Sequence, residues 1–446
     1  MSDPTVWRRR LALALLLAPR LCLAVEFPVE KRVLGNGLTV LLAPDHSAPV
    51  ISSYIFYRSG SRNEVRGQTG IAHLFEHMMF NGGKKFGPGV FDDMIEGNGG
   101  STNGYTTRDF TAYLNNFPRE ALPVVLDLES DRMWHLAITK QNLEQERGIV
   151  SEERRLRIDN DVGGSMNEAL YFAAFVQSGY HWNTIGFMSD IQRITLEEAR
   201  AYFQTYYAPN NAIVVLAGDL EPGPTLAIVD KYFGKIPRHP APRPVDASEP
   251  PQEGERRVDV HKQAELPAVL IGYKAVDAND PDRPAIDVAA RIMSEGESSR
   301  LHQDLVREHE IATGVEADLD WSIQQDLFGI YAQARPKHTA KELVDRIDAV
   351  LAKLAKDPVP ADELAKAKRQ LRAQAVAGLK TVGGKANKLG FAEIVLSGGY
   401  RALFGLEAQW DAVTADDVRR VVGKYLVPAQ RTVVTLIPTG AGGPKK

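Results

Sequence analysis

The chain has 446 residues, 44% of them hydrophobic and 25% charged, with a formal net charge of −4. That length supports two or three domains with substantial cores, and the mild acidity leaves no electrostatic footprint for nucleic acid. A single cysteine, Cys22, excludes a disulfide framework.

In chain order, the first segment is Trp7-Arg8-Arg9-Arg10, then the apolar run Leu11 to Ala18, then Leu21-Cys22-Leu23-Ala24. A basic start, a short apolar stretch and small residues at −3 and −1 predict a secretory signal cut after Ala24. An uncleaved anchor is the competing reading, but the run is too short to span a bilayer and Arg20 interrupts it. Removing residues 1–24 takes away four Arg and one Asp, so the formal charge moves from −4 to −7 and no thiol remains. Export without disulfides suits a periplasm, and a protein this large needs no such staples. No membrane span is expected after cleavage.

Leu38-Thr-Val-Leu-Leu42 reads as a strand. Next comes His73-Leu74-Phe75-Glu76-His77 within an apolar helical stretch. Two imidazoles four residues apart share one helix face and can grip one cation, and Glu76 lies close enough to take a proton from a water there. The pattern is H-x-x-E-H, the reversal of the zinc-peptidase H-E-x-x-H, and points to hydrolysis of peptide bonds. The competing reading is a helix with two hydrogen-bonded histidines. Met78-Met79-Phe80 reads as core beneath that helix. Gly97-Asn-Gly-Gly100 lacks the spacing of a phosphate-binding loop and reads as a turn.

A catalytic zinc needs a third protein ligand. Candidates lie some seventy residues on, in Glu144-Gln-Glu146-Arg-Gly-Ile-Val-Ser-Glu152-Glu153-Arg-Arg, where Glu146 and Glu153 are two helical turns apart on one face. His135, beside Trp134, reads as a satisfied helix histidine.

Thr195-Leu-Glu-Glu-Ala-Arg200 and Thr414-Ala-Asp-Asp-Val-Arg419 each open a helix that runs to a Tyr, a Pro and a β-branched strand, all offset by 219 residues. Thr before acidic residues is a helix N-cap signature, and a shared ungapped offset indicates internal duplication. The Pro-rich run from Pro237 to Pro251 reads as the linker. The expected division is a signal at 1–24, a catalytic domain at 25–236, a linker at 237–252, a homologous domain without metal at 253–438 and a tail at 439–446. The fold class is α+β, each half a mostly antiparallel sheet packed with helices. The halves are chemically unequal, because the position 219 after His77 is Gly296. A clamshell is expected, one half carrying the chemistry and the other closing over substrate. In the second half, His302 and His309 have no carboxylates that make a convincing metal site, Ser298-Ser299-Arg300 reads as a helix cap, and Ala361 to Lys380 as a solvated helix.

The chain resembles the pitrilysin-type inverzincins, which include insulin-degrading enzymes and the β subunit of mitochondrial processing peptidase. The matching residues are Asn36-Gly37-Leu38, Gly60-Ser61-Arg62-Asn63-Glu64, His73 to His77, Asn103-Gly-Tyr-Thr106 with Asp109-Phe-Thr111, Glu146-Arg147 through Glu153, His181 to Gly186, and Tyr206-Tyr207-Ala-Pro-Asn-Asn211. The resemblance implies that His73, His77 and Glu153 hold one Zn2+, with Glu152 an adjacent rival, that Glu76 is the general base, and that Glu146 supports the site by orienting His77 or the water. An exposed helix charge is the alternative for Glu146. It also implies that a peptide substrate adds as a strand along Asn103 to Leu114, with Asn103 gripping its backbone; a turn asparagine is the alternative. Gly104 stands where the family usually has Ala. Arg307 matches an Arg that reaches the substrate carbonyl, but its companion Tyr falls on Thr313 or Gly314. The expected assembly is therefore a heterodimer with a homologous partner lacking zinc, or else a homodimer. Two other functions stay open: a non-catalytic assembly subunit on the same fold, and a processing peptidase dedicated to one modified peptide.

Overall fold

The computed structural model describes residues 26–245 and 248–440. The signal read at 1–24 and most of the tail read at 439–446 lie outside the described residues. Among the described residues, eleven strands form two sheets. The first contains β1 (Glu30–Val33), β2 (Thr39–Pro44), β3 (Val50–Tyr57), β4 (Ser101–Thr106), β5 (Thr111–Pro118) and β6 (Ala212–Gly218), in the order β1-β2-β6-β3-β5-β4. The second contains β7 (Arg256–Gln263), β8 (Ala268–Lys274), β9 (Ala312–Asp318), β10 (Leu327–Ala334) and β11 (Arg431–Thr439), in the order β7-β11-β8-β10-β9.

Five strands of each sheet correspond one to one. In both, the N-terminal strand pairs parallel with the last strand of its half, β2 with β6 and β7 with β11, and the other pairings are antiparallel. The duplication seen in sequence near Thr195 and Thr414 thus extends over five strands of each sheet, and β1 has no counterpart among the described residues. Both of those threonines cap their helices, Thr195 accepting from Glu198 N and Thr414 from Asp417 N.

The two halves exchange equivalent helices. Val162–Ala174 of the first half packs Met166, Leu170 and Ala174 on Ala268, Val434 and Leu436 of the second sheet. Val382–Val395 of the second half packs Ala386, Leu389 and Ala392 on Leu41, Phe56 and Val215 of the first. Both helices open Val-Gly-Gly, and their N-caps, Asp161 and Thr381, accept from the second glycine's N–H. That glycine is needed for space: a Cβ would lie 1.9 Å from Arg157 O at Gly164 and 2.2 Å from Gly378 O at Gly384. Gly164→Ala and Gly384→Ala are each expected to destabilise the protein by about 1–3 kcal/mol, read as a lower urea midpoint.

Polar contacts close the seam. Tyr171 donates to the buried carboxylate of Asp326 (2.9 Å), and Ile323 N donates to Asp109 (3.0 Å). The Pro-rich segment is pinned by Glu249, which accepts from Val176, Gln177 and Ser178 N–H groups and pairs with buried Lys274 (2.7 Å).

Candidate metal centre

The helix Ile71–Met78 packs Ile71, Leu74, Phe75 and Met78 into the first core and turns its histidines the other way, toward the helix Lys140–Arg154. Met79 is also fully buried. The helix starts sharply because Gly70 adopts a positive φ of 86°. Its first turn is held by Glu64, a buried carboxylate that accepts from Gly70 N (3.0 Å), Ala72 N (2.9 Å) and Trp182 Nε1 (3.0 Å). Burial pushes the Glu64 pKa up, to about 8, against these three donors, which favour the charged form. Asp190 holds the preceding loop through Gly67 N, Thr69 N and Thr69 Oγ1.

Glu153 Oε2 lies 3.7 Å from His73 Nε2 and 3.2 Å from His77 Nε2, and the three ligand atoms sit within 4.8 Å of one another. Tetrahedral zinc with bonds of about 2.0–2.2 Å sets its ligand atoms roughly 3.4 Å apart, so the donor set and spacing fit that ion. Glu152, the rival, turns outward and pairs with Arg155. Glu153 is tied to Arg157 through its other oxygen (3.0 Å). Glu146 is buried; Asn81 Nδ2 donates to one oxygen (2.9 Å) and the other faces His77 Nδ1 at 3.6 Å. That placement is the one by which a carboxylate orients a ligating imidazole.

The electrostatics suit a cation. Burial, then the charge of His77, holds His73 down at about pKa 4. Burial also opposes the His77 charge, but Glu146 and Glu153 outweigh it and lift His77 to about 9. His77 and Asn81 lower the pKa of Glu146 despite its burial, and the hydrogen bond from His77 lowers that of Glu153. The two His77 ring nitrogens each face a carboxylate, Nδ1 toward Glu146 and Nε2 toward Glu153, and a divalent ion at the Nε2 side would supply positive charge between His77 and Glu153.

Glu76 sits beside the cluster, with Thr106 Oγ1 donating to its Oε2 (2.6 Å). Burial raises its pKa, which suits a base. Thr106 ends β4, which among the described residues pairs only with β5 and is an edge of its sheet. The segment Asn103 to Leu114 is therefore not all edge: Leu114 belongs to β5, which is sandwiched between β3 and β4. Asn103 is exposed, and its Oδ1 accepts from Gly104 N (2.8 Å), so a side chain and not a neighbouring strand satisfies that donor. A Cβ at Gly104 would lie 3.2 Å from Glu76 Cγ, so glycine lets the edge lie close against the acid.

Arg307 stands apart. It belongs to the π-helical segment His302–Glu308, is exposed, and pairs with Glu297 of its own half (2.5 Å). Thr313 bonds to Gln333. A second grouping, Asp304, Glu308 and His309, is exposed or half-exposed, and Asp304 is already bridged by Arg346. His135 stacks on Trp134 and faces Asp131 (3.5 Å). Sequence reasoning quoted Glu64 but assigned it no role; an acid seven residues before an apolar helix start was the available signal.

Residues 39–181 match the family model "Insulinase (Peptidase family M16)" and residues 193–371 the model "Peptidase M16 inactive domain". The chain belongs to the M16 peptidase family. Within it, this M16 chain is 32% identical to the zinc protease PqqE of Helicobacter pylori over 92% of its length and 93% of that protein's. It is 24% identical to the β subunit of the mitochondrial processing peptidase of Blastocladiella emersonii, over 91% and 88%. A solved protease from Helicobacter pylori superposes with a TM-score of 0.89 at 31% identity, covering 92% of this chain and all of that one. The periplasmic protease PqqL from Escherichia coli shares the fold at a TM-score of 0.77 and 18% identity, over 93% of this chain and 48% of its own. The inactive-domain match begins at residue 193 in the first half, runs to residue 371 in the second, and contains no H-x-x-E-H. No helix among the described residues is long and apolar enough to cross a membrane.

Proposed function

We propose that this M16 chain is an exported zinc-dependent metalloendopeptidase, acting on peptides or unfolded polypeptides and completed by a homologous partner subunit. One observation carries the reading: His73, His77 and Glu153 converge beside Glu76 at the open edge of β4. His73, His77 and Glu153 would hold a zinc ion there, which would supply Lewis-acid chemistry that makes a water acidic enough to attack near neutral pH. The open edge of β4 takes the peptide as an added strand, with Asn103 and Gly104 in contact with its backbone. Glu76 receives the proton of the attacking water and passes it to the leaving amine. Thr106 holds the Glu76 carboxylate in place, and Glu146 fixes the His77 ring. The periplasmic location of a neighbour in fold and the leader-like sequence at residues 1–24 support export.

The isolated pairing of Arg307 and the Thr313-Gly314 sequence support the need for a partner that brings its own electrophilic pair to the substrate carbonyl. The same features favour, as a second reading, a non-catalytic assembly subunit.

Metal analysis with a fluorogenic peptide assay tests the proposal. One zinc per chain is expected, with activity lost on chelation and restored by zinc, and a higher rate when a homologous chain lacking H-x-x-E-H is added. A zinc-loaded chain that cleaves nothing, alone or with such partners, would favour the assembly reading. Full activity as a monomer would remove the partner. Glu153→Gln is expected to weaken zinc binding by more than about 100-fold, measured by equilibrium dialysis against a competing chelator.

A further inference from the structure

A cavity of about 710 Å³ lies in the seam between the halves, against the face of the first sheet that the exchanged helix Val382–Val395 covers. Its size is that of small-ligand sites. Phe110 from the first half and Trp321, Leu371, Phe391, Phe404 and Trp410 from the second give it apolar walls. The zinc helix packs on the opposite face, in a separate core.

The charged groups on the wall are unevenly satisfied. Asp287 accepts from Arg283 Nε (2.8 Å) and Trp410 Nε1 (2.9 Å); Asp109 accepts from Tyr180 (2.7 Å) and Ile323 N. Glu407 pairs with Arg372, Arg291 with Glu295 and Gln374, and Asp318 accepts from Leu319 N. Two cations make no hydrogen bond and no close ion pair among the described residues. The Arg108 guanidinium lies over the Tyr171 ring at 3.7 Å and makes no hydrogen bond to the described residues. Its ion contact is Asp320 at 3.9 Å, on a side chain that is 72% exposed, and the buried Asp326 carboxylate also acts on its charge. Lys388, on the exchanged helix, is exposed and has no ion pair among the described residues.

A guanidinium whose buried Nε has no hydrogen-bond partner among the described residues, set beside aromatic walls, calls for a planar acceptor. We propose that this cavity binds a carboxylate carried on an apolar body, with Arg108 receiving the carboxylate and Lys388 adding the second positive charge. Asp320 is the competitor: an exposed acid at 3.9 Å contributes little, whereas an enclosed carboxylate can make two parallel hydrogen bonds to the fork. A free fatty or aryl acid and the C-terminus of an apolar peptide share this chemistry. Because the walls come from both halves, an occupant ties them together. The proposal does not depend on the hydrolytic reading.

The test uses the full chain carrying Glu76→Gln, so that peptide probes stay whole, with Trp321 and Trp410 as fluorescent reporters. The probes are decanoate, decanol, and acetyl-Leu-Leu-Phe as free acid and as amide. At least one acid is expected to bind about tenfold or more tightly than its uncharged counterpart. Arg108→Gln should erase that preference and Lys388→Ala reduce it, and Ala375→Trp, which fills the apolar space, should abolish binding. Preference for decanoate alone assigns a small acid, and preference for the free-acid peptide a chain terminus. No fluorescence change with any probe, or equal binding of acids and their uncharged counterparts, would overturn the proposal. So would an unchanged preference in Arg108→Gln. Should Arg108→Gln fail to fold, Lys388→Ala and Ala375→Trp decide: if neither alters binding, the site is wrong.

Discussion

Glu76→Gln is expected to lower kcat by about 10²–10⁴-fold, the usual contribution of a positioned general base, while zinc content stays at one per chain. The substitution keeps the shape and one oxygen for Thr106 Oγ1 but removes the group that accepts a proton. Because His73, His77 and Glu153 provide the ligand atoms, metal should be retained. Measuring kcat and zinc on the same sample separates the two effects. Loss of zinc would make Glu76 a ligand, and activity within tenfold of the parent with zinc bound would place the base elsewhere.

Glu64→Leu is expected to cost about 2–6 kcal/mol of stability and to release zinc. It strands the N–H groups of Gly70 and Ala72 without an acceptor, each worth about 1–3 kcal/mol when buried. Trp182 keeps a second acceptor in Ser61 O (3.1 Å). Those two amides open the helix whose third and seventh residues are His73 and His77, so fraying there moves both imidazoles. Glu64→Gln retains one acceptor oxygen and should fall between the two. Urea melts with and without added zinc would read the difference. A Leu variant as stable as the parent, holding zinc equally well, would reduce Glu64 to a bystander.

How far the amino-acid string carries can be judged from individual residues. The helical spacing of His73, Glu76 and His77, and the threonine caps at 195 and 414, are local patterns within a few residues, and they describe what those segments do in three dimensions. The Val-Gly-Gly starts at 162 and 382 were equally visible, yet nothing local tells that these helices cross to the opposite sheet. The segment Asn103 to Leu114 shows a similar limit: in sequence both of its strands read as one substrate-binding edge, and sheet order makes β4 the edge and β5 an interior strand. Ala361 to Lys380, with its solvated composition, supplies Leu371 to the wall of the seam cavity.

Sequence alone determined the pair of imidazoles on one face, the nearby base and the repeated architecture, because helix periodicity and capping are set by neighbours along the chain. Tertiary structure alone decided that Glu153 meets those imidazoles and that Glu146 faces His77 and Glu152 does not. It also decided that Arg307 pairs within its own half and that Arg108 and Lys388 line one cavity in the seam. Contacts between residues far apart in the chain, such as His77 with Glu146 and Glu153, depend on which faces pack together, and burial there sets both the distances and the charges.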